Sequence, residues 1–253
     1  MRYPGSGSGP RRLVTVVRYP VAGGEFPLIV FGHGFAVTPT IYSRLLDYWA
    51  RAGYVVAAPI FPLGNANAPG GPDESDLVNQ PTDMSFVITQ SEALSRRSGD
   101  PLSGRIDAGS VGVSGQSDGG DTALSVAYDE RWRDPRVGAV AVLSGAEIPG
   151  AGGYDFSRPG PPLLAVQGLA DSINPPSLTY TFFDAARPPK YLLTLPGASH
   201  LGPYTGAEPD LSVVERVTTA FFDLYLKRML RARDRMTAAS AQPPGVAVLR
   251  SES

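Results

Sequence analysis

The chain of 253 residues is long enough for one large globular domain or two small ones. Hydrophobic residues make up 42% and charged residues 18%, which is enough apolar material for a buried core and too little charge for a disordered chain. The formal net charge of -2 provides no broad positive field, which argues against nucleic acid and anionic lipid as partners. Without any cysteine the chain has no disulfide, no thiolate metal site and no cysteine nucleophile.

The sequence indicates neither a metal site nor a membrane-spanning segment. Its histidines, His33 and His200, have no second histidine at the spacing of a zinc site, so we expect no metal and no cofactor. No apolar run approaches the roughly 20 residues of a transmembrane helix, and the N-terminus lacks the charged-then-apolar pattern of a signal peptide. The sequence is compatible with a secreted or a cytoplasmic location and does not indicate an oligomeric state.

Strand-like and helix-like segments alternate along most of the chain, a pattern typical of an α/β fold with a mostly parallel sheet between helices. The sequence predicts strands over 13–19, 26–31, 54–60, 110–114, 137–143, 163–167 and 191–195. It predicts helices over 39–52, 82–97, 118–128 and 211–230. Inner strands such as VVAAPI and LLAVQG are continuously apolar, which favours strands that are buried on both faces.

Two segments rich in glycine, proline, asparagine and aspartate, 62–81 and 145–162, are interpreted as long surface loops rather than linkers between domains. We therefore expect a single domain over 1–236 without a large cap domain. The segment 237–253 is small, polar and proline-containing, and we expect a poorly ordered extension there.

The motif GQSDGG at 115–120 lies between a predicted strand and a predicted helix. It has the form G-x-S-x-G, in which a sharp turn holds the serine in a strained conformation at the end of the sheet. We therefore interpret Ser117 as a nucleophile. The alternative is a glycine-rich turn that packs tightly or binds a phosphate, but such a turn normally follows the first strand of its sheet.

A serine nucleophile needs a base, usually a histidine that a carboxylate orients. His200 follows the last predicted strand, and Asp171 follows the strand LLAVQG, which gives the chain order serine, acid, histidine. We predict His200 as the base and Asp171 as the acid. Asp155 and Asp184 also lie in this interval, but the first is in a loop and the second in a predicted helix, as expected of surface charges.

Backbone N–H groups that would bind the oxyanion of a tetrahedral intermediate are predicted at two turns. One belongs to Phe35 in the segment GHGF and the other to Asp118, the residue after the nucleophile. We expect the Asp118 carboxylate to turn away from the developing negative charge, and His33 to be a buried hydrogen-bonding residue. Phe35, Gln116 and Tyr204 are the predicted substrate contacts.

The segments HGF, GQSDGG, ADSINPP and ASHLG, at successive strand ends, resemble the α/β-hydrolase superfamily over 13–230. Within it, the chain resembles bacterial esterases and lipases related to chlorophyllases, platelet-activating-factor acetylhydrolases and cutinase-like polyester hydrolases. The resemblance implies the α/β-hydrolase fold and assigns the nucleophile, acid, base and oxyanion donors to Ser117, Asp171, His200, Phe35 and Asp118. Gln116 and Asp118 depart from the residues common around the serine of polyester hydrolases, whose usual C-terminal disulfide requires cysteine.

We therefore expect a serine carboxylic-ester hydrolase, an esterase or lipase-like enzyme that forms an acyl-enzyme on short-chain to medium-chain esters. Polyesters are compatible with this site but not specifically indicated. The alternatives are an amide or thioester hydrolase with the same triad, and a catalytically silent member of the superfamily that binds a ligand. The glycine and proline content of 62–81 and 145–162 opposes a helical lid, so we expect an open cleft.

Overall fold

The computed structural model describes residues 2–5, 9–150 and 153–252. The strands are β1 Arg2–Gly5, β2 Gly9–Arg12, β3 Val14–Arg18, β4 Phe26–Gly32, β5 Val55–Ile60, β6 Ile106–Gln116, β7 Val137–Leu143, β8 Leu163–Gly168, β9 Lys190–Leu195 and β10 Val248–Glu252. The α-helices are α1 Ser43–Arg51, α2 Gln80–Ser95, α3 Asp118–Tyr128, α4 Pro176–Ala185, α5 Gly202–Thr205, α6 Asp210–Tyr225 and α7 Ala232–Ser240. Short 3-10 helices, Pro39–Tyr42 and Glu74–Asn79, directly precede α1 and α2.

Strands β3 to β10 form an eight-stranded sheet in the order β10-β9-β8-β7-β6-β4-β5-β3. The inner pairs, from β5 across to β9, are all parallel. The edge strands β3 and β10 are antiparallel to their neighbours, and β1 and β2 form a separate antiparallel pair. This arrangement confirms the predicted α/β class with a mostly parallel central sheet.

Helices cover both faces of the sheet and divide the apolar interior into two cores. Helices α1, α6 and α7 contribute to one core, with Trp49 and Phe222 among its largest side chains. Helices α2, α3 and α4 contribute to the other, which contains Phe182. Successive residues of a strand point to opposite faces, so Phe31 of β4 lies in the first core and Val30 in the second. The central strands are therefore largely apolar on both faces, as predicted, with Ser114 and Gln116 of β6 and Gln167 of β8 as buried polar exceptions.

Three predicted helices have different limits in the structure, although α2 is shifted by only two residues from the predicted 82–97. The predicted helix 39–52 is divided into the 3-10 helix Pro39–Tyr42 and α1. The predicted helix 211–230 ends at Tyr225, and Arg228 beyond it has a left-handed φ of 56°, which an α-helix does not tolerate. In the described part of the chain, no helix combines the length and the apolar character that crossing a bilayer would require.

The segment 62–81 is more ordered than the sequence predicts. It contains the 3-10 helix Glu74–Asn79 and the first residues of α2. The carboxylate of Asp73 accepts a hydrogen bond of 2.9 Å from the N–H of Ser75 and so caps the 3-10 helix. Capping by a polar side chain stabilises a helical turn in a segment that has no apolar periodicity.

The expectation of a poorly ordered extension over 237–253 is wrong, because the C-terminal segment forms strand β10 of the sheet. Strand β10 pairs antiparallel with β9, with Val248 opposite Thr194, and Nζ of Lys190 lies 3.3 Å from Oε2 of Glu252. Val248 and Leu249 are apolar but the other residues of β10 are polar, so a strand of five residues gives only a weak sequence signal of its own. The segment forms a strand because the free edge of β9 supplies backbone hydrogen-bonding partners, which only the folded sheet presents.

A charge cluster connects the N-terminal hairpin to the start of α2. The guanidinium of Arg11 donates to both carboxylate oxygens of Asp76 at 2.6 and 2.7 Å, and to Asp83 at 2.7 and 3.0 Å. The side chains of Asp76 and Asp83 are 0% exposed and that of Arg11 is 9% exposed. Burial alone would lower the pKa of Arg11, but its hydrogen bonds to the two aspartates raise it. The arginine therefore stays charged and compensates two buried carboxylates.

Replacing Arg11 with methionine is expected to lower the free energy of unfolding by about 3–5 kcal/mol, because it leaves buried carboxylates without their partner. Urea denaturation of both proteins measures the difference. Arg97→Met, at an exposed arginine, is the matched control and is expected to change stability by less than about 0.5 kcal/mol. A loss for Arg11→Met no larger than that of the control would contradict the interpretation.

Candidate active site

Ser117 occupies the sharp turn between β6 and α3. Its backbone has φ 55° and ψ −127°, a conformation that residues other than glycine rarely adopt. Its N–H donates to the carbonyl of Leu143 at 3.0 Å, and its carbonyl accepts from the N–H groups of Gly120 and Asp121 at 2.6 and 2.9 Å. The turn is therefore held between strand β7 and the first turn of α3.

The glycines around Ser117 allow helix and strand backbones to approach closely. A Cβ atom at Gly115 would collide with the backbone of Gly119, and one at Gly119 would collide with the backbone of Gly32. Any larger side chain at either position would push α3 away from the sheet. The glycine frame of the motif is thus a packing requirement of the strand-to-helix turn.

His200 and Asp171 follow β9 and β8 and are in direct contact. Nδ1 of His200 donates to Oδ2 of Asp171 at 2.8 Å. The Asp171 side chain is fully buried, and its Oδ1 accepts from the N–H groups of Ile173 and Asn174 at 3.0 and 2.9 Å. The contact with the carboxylate places the imidazole proton on Nδ1 and leaves Nε2 as a hydrogen-bond acceptor.

The side chain of Gln116 lies against the other nitrogen of His200. Its Nε2 donates to the carbonyl oxygen of His200 at 3.0 Å and lies 3.2 Å from Nε2 of the imidazole. Its Oε1 accepts from the hydroxyl of Tyr42 at 2.7 Å. Hydrogen bonds therefore fix both ends of the amide. Gln116, which was predicted as a substrate contact, also contacts His200, the predicted base.

Ser117 and His200 line one cavity of about 290 Å³ at the carboxyl ends of the parallel strands. Three other predicted site residues, Phe35, Gln116 and Asp118, also line it, while Asp171 lies behind His200. The remaining lining residues are Gly34, Val37, Glu74, Ile173, Asn174 and Leu201. The fold thus brings segments that are distant in the chain to one edge of the sheet, where α/β folds commonly form their sites.

Two backbone N–H groups of the cavity wall have no hydrogen-bond partner on another residue. Within the described residues, the N–H of Phe35 makes no hydrogen bond, and that of Asp118 contacts only the carboxylate of its own side chain. Asp118 begins α3, so the positive end of the helix dipole points toward the cavity. An anion in the cavity would therefore find two N–H donors that bind no other residue.

His33 has a structural role in the turn that carries Phe35. Its Nδ1 donates to the carbonyl of Gly34 at 2.8 Å, and its Nε2 accepts from the N–H of Phe61 at 3.0 Å. Burial lowers the pKa of His33 to about 4, so the ring is neutral near pH 7. Both nitrogens are occupied by backbone groups, as expected of a buried hydrogen-bonding histidine.

The carboxylate of Asp118 is buried in the cavity wall. The residue is 7% exposed, and its Oδ2 has no hydrogen-bond partner within the described part of the chain. Burial raises the pKa of Asp118 to about 6, and the negative charge of Glu74 adds to the effect. The side chain therefore lies in an environment that disfavours its charge.

Tyr204 does not line the cavity, contrary to the prediction from the sequence. Its side chain is 0% exposed and belongs to the core beneath α1 and α6. Its hydroxyl contacts Oγ of Ser144 at 2.8 Å and donates to the carbonyl of Val166 at 3.2 Å. Because these partners satisfy the hydroxyl in the interior, the ring can be buried at the start of α5 instead of facing a substrate.

Several residues of the site were not identified from the sequence. Ile173 and Asn174 are two and three residues after Asp171 in the segment DSINPP, so their proximity to the acid was available as a signal. Tyr42 and Glu74 belong to the 3-10 helices before α1 and α2, and no local pattern connects them to the serine. Only the folding of these segments over the sheet edge brings them to the site.

Comparison with known proteins connects this fold to a family. The family model described as Chlorophyllase matches residues 5–167, a range that includes Ser117 and ends before Asp171 and His200. Chlorophyllase-1 of Arabidopsis thaliana is 32% identical over 142 residues, which cover 55% of this chain and 41% of that protein. The chain thus spans less than half the length of this relative. With a family match over more than half of its length and an α/β-hydrolase sheet, the chain belongs to the chlorophyllase family.

Proposed function

We propose that the chain is a serine hydrolase that cleaves carboxylic esters through an acyl-enzyme. In this proposal Ser117 is the nucleophile, His200 the base and Asp171 the acid that orients the base. The observation that carries it is the hydrogen bond of 2.8 Å between His200 and Asp171, with His200 in the same cavity as the strained Ser117. Membership of the chlorophyllase family and the name of the Arabidopsis relative support ester chemistry.

Proton transfer is the first requirement of the mechanism. The Ser117 hydroxyl attacks the ester carbonyl while Nε2 of His200 takes its proton, and Asp171 stabilises the resulting imidazolium through Nδ1. Gln116 donates to the same Nε2 in the structure, at 3.2 Å. This contact must be shared or released when the serine transfers its proton, while the bond from Gln116 to the His200 carbonyl keeps the ring in place.

The negative charge of the tetrahedral intermediate is the second requirement. Among the described residues, the N–H groups of Phe35 and Asp118 have no acceptor on another residue, and both residues line the cavity with Ser117. We assign them as the oxyanion donors, a role that can lower the barrier by about 3–4 kcal/mol per donor. Collapse of the intermediate expels the alcohol, which takes its proton from His200. Water then attacks the acyl-enzyme with His200 again as base.

Labelling with a fluorophosphonate tests the chemical class directly. We expect intact-mass analysis to show one adduct per chain, and peptide mapping to place it on Ser117, because these probes react much faster with an activated serine than with other side chains. An unlabelled protein at high probe concentration would favour the catalytically silent ligand binder. An adduct on another serine would overturn the assignment of the nucleophile.

Substrate access gives a separate prediction. The described parts of the loop between β7 and β8 contain no helix, and the cavity wall from the other loop is the short 3-10 helix Glu74–Asn79. Neither provides the long amphipathic helix of an interfacial lid. We expect rates on p-nitrophenyl esters to be highest for short to medium acyl chains, and the rate on tributyrin to rise smoothly through its solubility limit. A sharp increase at that limit, with preference for long acyl chains, would show that a mobile lid exists.

A further inference from the structure

A second cavity of about 440 Å³ adjoins the proposed active site. The two cavities share Glu74, Asp118 and Asn174 as wall residues. A substrate whose ester lies at Ser117 therefore needs to extend only past these shared residues for its far end to reach the second cavity. We refer to this second space as the acidic cavity, because four carboxylates line it.

The carboxylates of the acidic cavity are those of Glu74, Asp118, Asp121 and Glu147. No arginine, lysine or histidine is among the lining residues, and no ion pair joins any of the four to a basic residue in the described chain. The rest of the protein pairs many of its acidic groups, as Arg11 does for Asp76 and Asp83. Among the described residues, the acidic cavity therefore has no basic side chain that compensates its negative charge.

Asp118 gives an independent indication that a ligand belongs here. The residue is 7% exposed, and Oδ2 has no hydrogen-bond partner in the described residues. A buried carboxylate oxygen without a hydrogen-bond partner costs free energy of folding. Folded proteins rarely contain such an oxygen unless a bound ion or ligand supplies the missing partner. Burial raises the pKa of Asp121 and of Glu147 as well, so the same local environment opposes several negative charges.

The other walls of the acidic cavity are apolar. Leu77 and Ile148 are buried, whereas Val78 and Leu178 are 45% and 39% exposed. Alkyl groups gain from contact with such surfaces, whereas a hydrated inorganic ion does not. In addition, no three acidic or histidine side chains of the described residues are grouped closely enough to hold a metal ion. The combination fits an organic cation with alkyl substituents.

We propose that the acidic cavity binds the ammonium group of a cationic ester, so that the enzyme prefers such esters over neutral esters of the same shape. The proposal rests on the proposed ester hydrolysis for its substrate class. The ester group lies at Ser117, and the ammonium group lies beyond Asp118 and Asn174, against Glu147. Apolar walls contact the alkyl substituents while the carboxylates compensate the charge.

Kinetics on isosteric substrates test the preference. Acetylcholine, together with homologues lengthened by methylene groups, is compared with neutral acetates in which carbon replaces the ammonium nitrogen. We expect kcat/KM for the best cationic ester to exceed that of its neutral counterpart by about tenfold, as a partly screened charge contact allows. Equal values across the whole series would overturn the preference.

Charge reversal at Glu147 localises the effect. Glu147 lines the acidic cavity and does not line the cavity of Ser117. Glu147→Lys is expected to remove the preference for cationic esters, so that the ratio of kcat/KM for a cationic ester to that for its neutral isostere falls to about one or below. Glu25→Lys makes the same charge change at the opposite edge of the sheet and is expected to preserve the preference. If Glu147→Lys unfolds, Glu147→Gln replaces it, with a reduced preference as the expected result. Equal effects at positions 147 and 25 would assign the preference to net charge and overturn the proposed site.

Binding to a Ser117→Ala variant separates this inference from the proposed function, since it requires no turnover. Calorimetry is expected to detect choline, but not dimethylbutanol, its neutral carbon isostere, and Glu147→Lys is expected to weaken the choline signal. Neutral esters that are hydrolysed without choline binding would support the hydrolase and overturn the cation site. Choline binding without any ester hydrolysis would support the cation site and overturn the proposed hydrolase. Displacement of choline by calcium chloride at equal ionic strength would indicate an inorganic ion site and overturn the proposal.

Discussion

Replacing Ser117 with alanine is expected to lower kcat on p-nitrophenyl butyrate by about 10⁴ to 10⁶. The substitution removes the only atom that forms the acyl-enzyme, so the remaining oxyanion donors act on a reaction with water alone. His200→Ala is expected to cause a loss of the same order, because the serine then lacks its proton acceptor. The double variant is expected to lose no more than either single variant, since the two groups act as one unit.

Ser114 provides the matched control for Ser117. It lies three residues earlier, in β6, and is fully buried, and its Oγ has no hydrogen-bond partner among the described residues. Ser114→Ala is therefore expected to leave kcat within about twofold, well inside the tenfold that 1.4 kcal/mol of barrier would cost. Thermal unfolding of each variant checks that the fold persists. A Ser117→Ala protein that is folded and retains near-normal rates would refute the nucleophile assignment.

Asp171→Asn is expected to lower kcat by about 10⁴, although it keeps the size of the side chain. The carboxylate now accepts from Nδ1 of His200 at 2.8 Å and from two backbone N–H groups. An amide that presents its nitrogen to the ring favours the tautomer with the proton on Nε2, which can no longer accept from Ser117. It also removes the charge that stabilises the imidazolium.

The other acids between the serine and the histidine are the controls for Asp171. Asp155 accepts hydrogen bonds from the N–H and hydroxyl of Ser157 at 2.9 and 2.5 Å, and Asp184 is an exposed residue of α4. Asp155→Asn and Asp184→Asn are expected to leave kcat within about threefold, as surface substitutions normally do. If either abolished turnover while Asp171→Asn retained it, the acid assignment would be wrong.

Local sequence patterns determined the elements that carry the site. The predicted strand 137–143 and the predicted helix 118–128 have the same limits as β7 and α3. Continuous apolar runs mark strands buried on both faces, and the glycines around Ser117 mark a close strand-to-helix approach. Both signals are contained within a few neighbouring residues, and the order of serine, acid and histidine along the chain added the expected positions of Asp171 and His200 at strand ends.

Contacts between distant segments determined the features of the site and the fold that local sequence patterns did not predict. Gln116 meets His200 across 84 positions of sequence, and the acidic cavity combines Glu74 with Glu147. From the sequence, an aromatic residue near the histidine was equally compatible with a cleft wall. Tyr204 is buried instead, because Ser144 and Val166 supply hydrogen-bond partners for its hydroxyl in the core. Strand β10 likewise exists only against the edge of β9. Such outcomes depend on which hydrogen-bonding and packing partners the folded sheet presents, and a pattern of neighbouring residues does not encode them.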